Sequence, residues 1–375
     1  MSLTGGGLLV GLGCLALVLL LLIALGLPRT SRRWVAVSIR GTEAVALSIV
    51  VVALGAAALN DEYSFYVSWS DLLGARSPST STHGGASAQR AASARAAGPG
   101  FSQWAEAAPG PLAPHPGIRL QAFSVTGARS GVHGQVLVDL PPGYAANRTH
   151  RYPVVLALHG FPGNPAVWVH TIHVDSIVDD LVARHRLGQS IIVMPQVNDP
   201  ATVDTECVDA PAGTGPQAET WLAQDVPAWV MTHLRAQPLR TSWAVMGYSF
   251  GGWCAAMLGM HHPDVFGAAI VLQGYFRPDF SAGYDPIPPG SPAARAYDLI
   301  RAARTDPPPL AMWVLSTKTD GLSYPTTALF VQDVRPPLSV TTVLLKTGGH
   351  RLSVFIPLVP DALSWLGETM PGFRA

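Results

Sequence analysis

A serine, a histidine and an aspartate stand in this chain where together they could carry nucleophilic acyl chemistry. Ser249 is the centre of Gly247-Tyr-Ser-Phe-Gly251, the pattern G-x-S-x-G. The apolar, β-prone run Trp243 to Met246 precedes it, and the small-residue, helix-like run Cys254 to Met260 follows. Strand, sharp turn and helix is the context in which this pattern lifts a serine hydroxyl onto a strained elbow. The flanking glycines let neighbouring backbone pass close by. A serine hydroxyl is a weak nucleophile. It needs a base to take its proton, and the base needs a carboxylate to hold its tautomer. On a turn of this kind the acid and then the histidine follow the serine in chain order.

Beyond Phe266 the only histidine is His350, in Lys346-Thr-Gly-Gly-His. It follows the last apolar strand on a Gly-rich loop, which suits a base; the plainer reading is a surface-loop histidine. Two acids compete. Asp320 lies just past the strand Met312 to Ser316, in Lys318-Thr-Asp-Gly, where an orienting acid belongs. Asp333, in Leu329-Phe-Val-Gln-Asp, falls on what reads as the following helix, the wrong element for the role. Acyl chemistry also needs donors for the oxyanion. The backbone N–H of Phe250, next after the serine, is one. The loop His159-Gly-Phe-Pro-Gly-Asn164 directly follows the apolar run Pro153 to Leu158 and nominates the N–H of Phe161 as the second. Each such donor lowers a barrier by about 3–4 kcal/mol. His159 reads as structural, because a base there would crowd the oxyanion loop.

Those residues need elements to hold them. Gly117 to Val125 and Gly134 to Pro141 alternate apolar and polar residues, as antiparallel edge strands do. Pro153 to Leu158, Ile191 to Met194, Gly267 to Leu272, Met312 to Ser316 and Ser339 to Leu345 are short apolar runs suited to a buried parallel sheet. Helical stretches are expected at Ile172 to His185, Ala218 to Leu234, Ala293 to Arg304 and Val359 to Leu366. Strands alternating with helices predict an α/β fold, a doubly wound sheet over 118–375. No internal repeat is present.

The first third reads differently. Leu8 to Leu27 is a nearly unbroken apolar run, long enough at ~1.5 Å per residue to cross a bilayer core of about 30 Å. A second span is expected at about 41–59, closed by Asn60-Asp-Glu62 and by an aromatic belt of Tyr63, Phe65, Tyr66 and Trp69. Arg29, Arg32, Arg33 and Arg40 lie between the spans, so the positive-inside rule puts that loop in the cytoplasm. The expectation is a two-pass anchor over 1–75 with the rest of the chain extracytoplasmic. The alternative is secretion after cleavage at Ala56-Ala-Ala58. From 76 to 117 the chain turns to Ala, Ser, Gly, Thr and Pro, which reads as a flexible linker with a short helix near Phe101 to Ala107.

Basic and acidic residues balance at 24 each, giving a formal net charge of zero and no steering towards nucleic acid. Of the 3 cysteines, Cys14 lies in the first apolar run. Cys207 and Cys254 lie in the later part, where export would let them form a disulfide. His170-Thr-Ile-His173, with Asp175 near, has i, i+3 spacing but reads as a polar face and not as a metal site. His261-His262 ends a helix, where it suits the dipole. Asn147-Arg-Thr149 matches a glycosylation pattern to which no role is given.

Several stretches resemble the Putative esterase family, which includes esterase D-like enzymes and the antigen 85 mycolyltransferases. They are Leu140-Pro-Pro-Gly-Tyr, Arg151-Tyr-Pro-Val-Val-Leu-Ala-Leu-His-Gly, Trp221-Leu-Ala-Gln-Asp-Val-Pro, Gly247-Tyr-Ser-Phe-Gly-Gly and Gly348-Gly-His-Arg. With its two-span N-terminus the chain is similar to membrane-tethered actinobacterial members. The resemblance implies an α/β-hydrolase, a cofactor-free serine hydrolase with Ser249, Asp320 and His350 as its triad. The substrate would be a small-molecule or lipid ester. The mycolyltransferase pattern carries an Arg and paired acids after the oxyanion Gly, and Glu as triad acid. Here Phe161-Pro-Gly-Asn164 follows Gly160, and Asp320 holds the acid position. Ester hydrolysis is the expected activity. Acyl transfer to a cell-envelope sugar or lipid is the alternative, and a non-catalytic binding module is the second alternative.

Overall fold

A computed structural model of the chain describes residues 6–25, 33–63, 80–83, 118–199, 203–211, 213–281 and 284–375. They fall into two compact units. One takes in Met1–Ser79, Thr317–Leu322 and Lys346–Val354; the other Thr80–Ser316, Ser323–Leu345 and Phe355–Ala375.

In the first unit, helices α1 (Gly6–Leu25) and α2 (Arg33–Tyr63) lie against one another. Each contains a stretch long and apolar enough to cross a membrane, Gly7–Leu25 and Val37–Ala58. Their apolar side chains are turned outward; Val10 and Val52 are 66% and 72% exposed. The second helix begins eight residues before the expected start at 41 and runs on past Asn60-Asp-Glu62. No Pro interrupts Arg33 to Glu43, and the Arg, Ala and Glu there are good helix formers. Hydropathy marks where a helix can span, not where it ends. Phe65, Tyr66 and Trp69, and the short helix expected near Phe101, lie outside the described residues.

The second unit is built on a 9-stranded sheet with the order β1-β9-β8-β7-β6-β4-β5-β3-β2. The strands are β1 (Thr80–His83), β2 (Leu120–Thr126), β3 (His133–Asp139), β4 (Val154–Leu158), β5 (Ile191–Pro195), β6 (Trp243–Tyr248), β7 (Ala268–Leu272), β8 (Ala311–Thr317) and β9 (Ser339–Leu345). β2 and β3 form an antiparallel hairpin, and β3 runs antiparallel to β5. From β5 through β4, β6 and β7 to β8 the pairing is parallel. Every residue of β4, β5, β6, β7 and β8 is buried. Helices cover both faces of such a sheet, so its strands carry no polar side.

The remaining differences from the sequence reading are local. β1 lies within the stretch expected as linker and pairs antiparallel with β9. A four-residue edge strand is held by backbone hydrogen bonds and needs no apolar pattern. The helix expected from Ile172 is α3 (Val174–Ala183), preceded by a short turn of helix at Val167–His170. His173 between them is left-handed, with φ 58°, so His170 and His173 do not share a helical face. The stretch Ala218 to His233 is helical but passes through a π segment at Trp221–Asp225 before α4 (Val226–His233). Ala293 to Arg304 is two helices, Pro292–Ala296 and α6 (Leu299–Thr305). Asp298 makes the break: its side chain accepts the Arg301 N–H at 3.1 Å and starts a new helix. The helix after Ser249 is α5 (Phe250–His261), and α7 (Tyr324–Asp333) and α8 (Val359–Thr369) complete the fold.

Candidate active site

The turn at Ser249 follows from what its neighbours lack. A Cβ on Gly247 would come within 1.9 Å of the Gly251 carbonyl oxygen, and one on Gly251 within 2.3 Å of the Leu158 carbonyl oxygen. Only glycine lets β6, β4 and the start of α5 approach so closely. Ser249 sits between them at φ 58° and ψ −127°. A non-glycine residue held there costs about 1–3 kcal/mol, which the surroundings must over-determine. They do so from both sides. The Ser249 N–H donates to the Leu272 carbonyl at 2.9 Å, and the Ser249 carbonyl accepts from Gly252 and Trp253 at 2.8 and 3.0 Å. The half-buried side chain thus stands at the N-terminus of α5, where the helix dipole favours developing negative charge.

The loop after β4 carries Phe161, whose ring centroid is 5.9 Å from that of Phe250. His159 fixes this loop. It is fully buried, its Nε2 accepts the Val197 N–H at 3.2 Å, and its Nδ1 lies 2.8 Å from the Gly160 carbonyl. Those partners require the neutral tautomer protonated on Nδ1. Burial pushes its pKa down to about 4, against a small raising effect of the Gly160 carbonyl. A histidine so satisfied holds the loop and has no lone pair to offer a substrate. Behind the Ser249 turn, Tyr248 stacks on Phe355 at 5.0 Å and meets Trp168 edge-on at 5.6 Å.

Within the first unit, the loops that follow β8 and β9 bring an aspartate and a histidine together. His350 Nδ1 lies 2.9 Å from Asp320 Oδ2, and Leu322 N–H donates to Asp320 Oδ1 at 3.0 Å. Asp320 is 1% exposed and His350 6%. The His350 loop is tied to its neighbour by the Gly348 and Gly349 N–H groups, which donate to the hydroxyls of Thr319 and Thr317 at 3.1 and 3.4 Å. With Nδ1–H given to the carboxylate, Nε2 keeps the lone pair. Asp333 ends α7 and lies 3.8 Å from Arg304.

Cys207 and Cys254 form a disulfide with a Cα–Cα distance of 5.6 Å, joining the loop after β5 to α5. Two clusters beside it have no sequence signature. Glu206 is buried, with Tyr275 donating its hydroxyl to Oε1 at 2.5 Å. At the far end of α5, His261 and His262 both reach Glu219 Oε1, at 3.1 and 2.8 Å, and Tyr297 donates to Oε2. The histidine pair therefore has a carboxylate partner besides the helix dipole. Acids distant in sequence leave no mark beside the histidines they pair with. Among the described residues, no group of three or more His, Cys, Asp or Glu is arranged to hold a metal ion.

Comparison with known proteins places this geometry. The sequence profile of the family described as Putative esterase matches residues 129–351, more than half of the 375-residue chain. An uncharacterised protein of Corynebacterium glutamicum is 27% identical over 139 residues, 37% of this chain and 32% of that protein. The match thus spans about a third of that relative's length. Among solved structures, a ferulic acid esterase superposes with a TM-score of 0.55 at 21% identity, over 67% of this chain and 97% of that one. An S-formylglutathione hydrolase from Agrobacterium tumefaciens gives 0.56 at 18%, over 67% and 95%. MPT51 of Mycobacterium tuberculosis gives 0.52 at 15%, over 68% and 99%. At such identities these likenesses establish a shared α/β-hydrolase fold.

Proposed function

We propose, from the premise that the chain belongs to the Putative esterase family and is a serine esterase, that it cleaves carboxylic esters through an acyl intermediate on Ser249. His350 is the base and Asp320 the acid that orients it. The observation that carries the assignment is the buried hydrogen bond from His350 Nδ1 to Asp320, which leaves Nε2 as proton acceptor. Support also comes from connectivity: Ser249 directly follows β6, Asp320 follows β8 and His350 follows β9, in the order Ser, Asp, His.

In this reading Ser249 Oγ adds to the ester carbonyl while His350 Nε2 takes its proton. The N–H groups of Phe161 and Phe250 receive the oxyanion. Collapse expels the alcohol, protonated by the imidazolium, and water then releases the acid by the same steps in reverse. An alcohol of a cell-envelope sugar or lipid that outcompetes water would turn the same intermediate to acyl transfer. The two apolar helices and the arginines between them support a two-pass anchor over 1–75 and an extracytoplasmic catalytic domain over 118–375; the stretch 76–117 joins them as a linker that lends the strand Thr80–His83 to the edge of the sheet. Cleavage near Ala58, which lies within α2, would instead release the domain.

A fluorophosphonate probe tests the nucleophile. It should label the full-length protein and leave Ser249→Ala unlabelled; equal labelling sinks the reading. Incubating the acyl-enzyme with candidate alcohols and recovering only free acid would rule out transfer. Protease shaving of intact cells that spares the catalytic domain would overturn the outward orientation.

A further inference from the structure

Two of the backbone hydrogen bonds that fix Ser249 lead to the same buried residue, Glu206. On one side the Ser249 N–H is held by the Leu272 carbonyl at the end of β7. Three residues on, Tyr275 donates its hydroxyl to Glu206 Oε1 at 2.5 Å. On the other side the Ser249 carbonyl accepts the Trp253 N–H. The Trp253 indole donates to the Glu206 carbonyl at 2.8 Å, and its ring stacks on Tyr275 with centroids 6.0 Å apart and planes 4° apart. The following residue, Cys207, is bonded covalently to Cys254. Between the two flanks the backbones of Gly252 and Gly274 touch: a Cβ on Gly274 would lie 2.5 Å from the Gly252 carbonyl carbon.

The loop that presents Glu206 is itself rigid. Glu206 and Cys207 are both left-handed, with φ 47° and 54°. Thr205 donates its hydroxyl to Asn198, Cys207 N–H donates to the Thr205 hydroxyl, and Asp204 accepts from Glu206 N–H and from Ser281. Non-glycine residues keep such backbone only where the surroundings impose it, and that pattern clusters at functional sites.

We infer that Glu206 is a positioning residue for the nucleophile turn, setting the direction of the Ser249 hydroxyl through its carboxyl on Tyr275 and through its backbone carbonyl on Trp253. The inference rests on the esterase reading above. Burial first, then the nearby Asp204, pushes the Glu206 carboxyl well above the usual carboxylate range, with the hydrogen bonds of Tyr275 and of the Asp279 backbone opposing the rise. Burial and Glu206 together raise the Tyr275 hydroxyl as well. Glutamine keeps what this geometry uses: the same length and an oxygen to accept from Tyr275.

The test measures p-nitrophenyl ester turnover and the rate of fluorophosphonate labelling on full-length protein in detergent. Misplacement of a reacting group by a fraction of an ångström lowers rate without lowering affinity, so Glu206→Ala should lose about tenfold or more in kcat and in labelling rate, with KM within about twofold. Glu206→Gln should recover to within about threefold of the parent, since its amide oxygen restores the hydrogen bond. Tyr275→Phe, which deletes one hydroxyl, should fall as Glu206→Ala does. A parental kcat in Glu206→Ala overturns the inference, as does a Glu206→Gln variant as slow as Glu206→Ala, or a loss confined to KM. If Glu206→Ala does not fold, a parental kcat in Tyr275→Phe overturns it. Failure of the underlying reading looks different: the unsubstituted protein itself would not be labelled at Ser249.

Discussion

The Asp320 carboxylate divides its two oxygens between two donors: Oδ2 faces His350 Nδ1 at 2.9 Å and Oδ1 takes the Leu322 N–H at 3.0 Å. The backbone donor fixes the plane of the carboxylate, and the plane fixes the imidazole. Replacing Asp320 by Asn keeps the shape and offers an N–H where a lone pair is needed, so His350 is driven to the wrong tautomer. Asp320→Asn should lower kcat by about 10³-fold or more, with KM little changed. Asp333→Asn, remote on α7, is the control. Steady-state ester hydrolysis reads both; an Asp320→Asn enzyme within tenfold of the parent would remove Asp320 from the role.

His159 makes stability fall in acid. Its folded pKa is about 4, while an unfolded histidine titrates near 6.5. The unfolded chain therefore binds the extra proton first. The stabilisation is complete above pH ~6.5, declines as pH falls and is lost below the folded value, and the whole effect is no more than about 3 kcal/mol. Asp139, raised to about 6 chiefly by burial and only partly offset by Arg119, acts with the opposite sign in part of the same window. The comparison with His159→Gln isolates the histidine. Urea unfolding of that variant should show a lower midpoint at pH 7 and a flatter dependence between pH 6.5 and 4; parallel profiles would refute the assignment.

Glu219 is the keystone at the C-terminal end of α5. Burial alone would raise its pKa. The hydrogen bonds from His261 and His262, joined by Tyr297, more than reverse that and hold it well below the usual carboxylate range. A depressed carboxylate stabilises the fold above its unfolded pKa and loses that contribution as pH falls. Glu219→Gln should cost about 2 kcal/mol at pH 7 by leaving buried donors poorly paired. Thermal unfolding at pH 7 measures it, and an unchanged midpoint would contradict the geometry.

Intact-mass analysis under non-reducing conditions should find Cys207 and Cys254 joined. The bridge closes a loop of 47 residues, for which chain entropy gives about 4 kcal/mol at most. The double replacement Cys207→Ser with Cys254→Ser should lower the unfolding midpoint accordingly, and three free thiols in the parent protein, Cys14 included, would contradict the bridge.

The sheet was legible because a parallel strand buried on both faces has no choice but to be apolar. Pro153 to Leu158, Ile191 to Met194 and Gly267 to Leu272 could hardly be anything else. What escaped were features that leave no period. The π segment at Trp221–Asp225 inserts one residue into a helical pattern that the eye reads straight through. The break at Asp298 depends on a single capping side chain in an otherwise continuous run. The strand Thr80–His83 is held by its backbone, and its threonines look like any linker.

The candidate site was legible to the extent that it is written as residue type after strand. Ser249, Asp320 and His350 each follow a strand end, and the sequence nominates them by that position and by chain order. Glu206 was invisible for a physical reason. Its importance lies in what it touches from a distance, and an acid between Asp204 and Asp209 in a polar loop looks like surface. Only burial, together with Tyr275 and Trp253, separates it from an ordinary solvated carboxylate.

The order of the strands has one more consequence. The chain leaves β4 to build β5 on one side, then crosses back over β4 to lay β6 on the other and continues outward through β7 and β8. At β4 and β6 the winding reverses, so the connections leaving these two neighbours head apart and cannot close over the strand tips between them. Such a topological switch point opens a crevice at the carboxyl ends of the strands as a matter of geometry, before any loop sequence is chosen. Phe161 follows β4 and Phe250 follows β6, so both stand at this switch point. The crevice is a property of the winding, whereas its width and lining belong to the loops, so a change of substrate need not disturb the sheet.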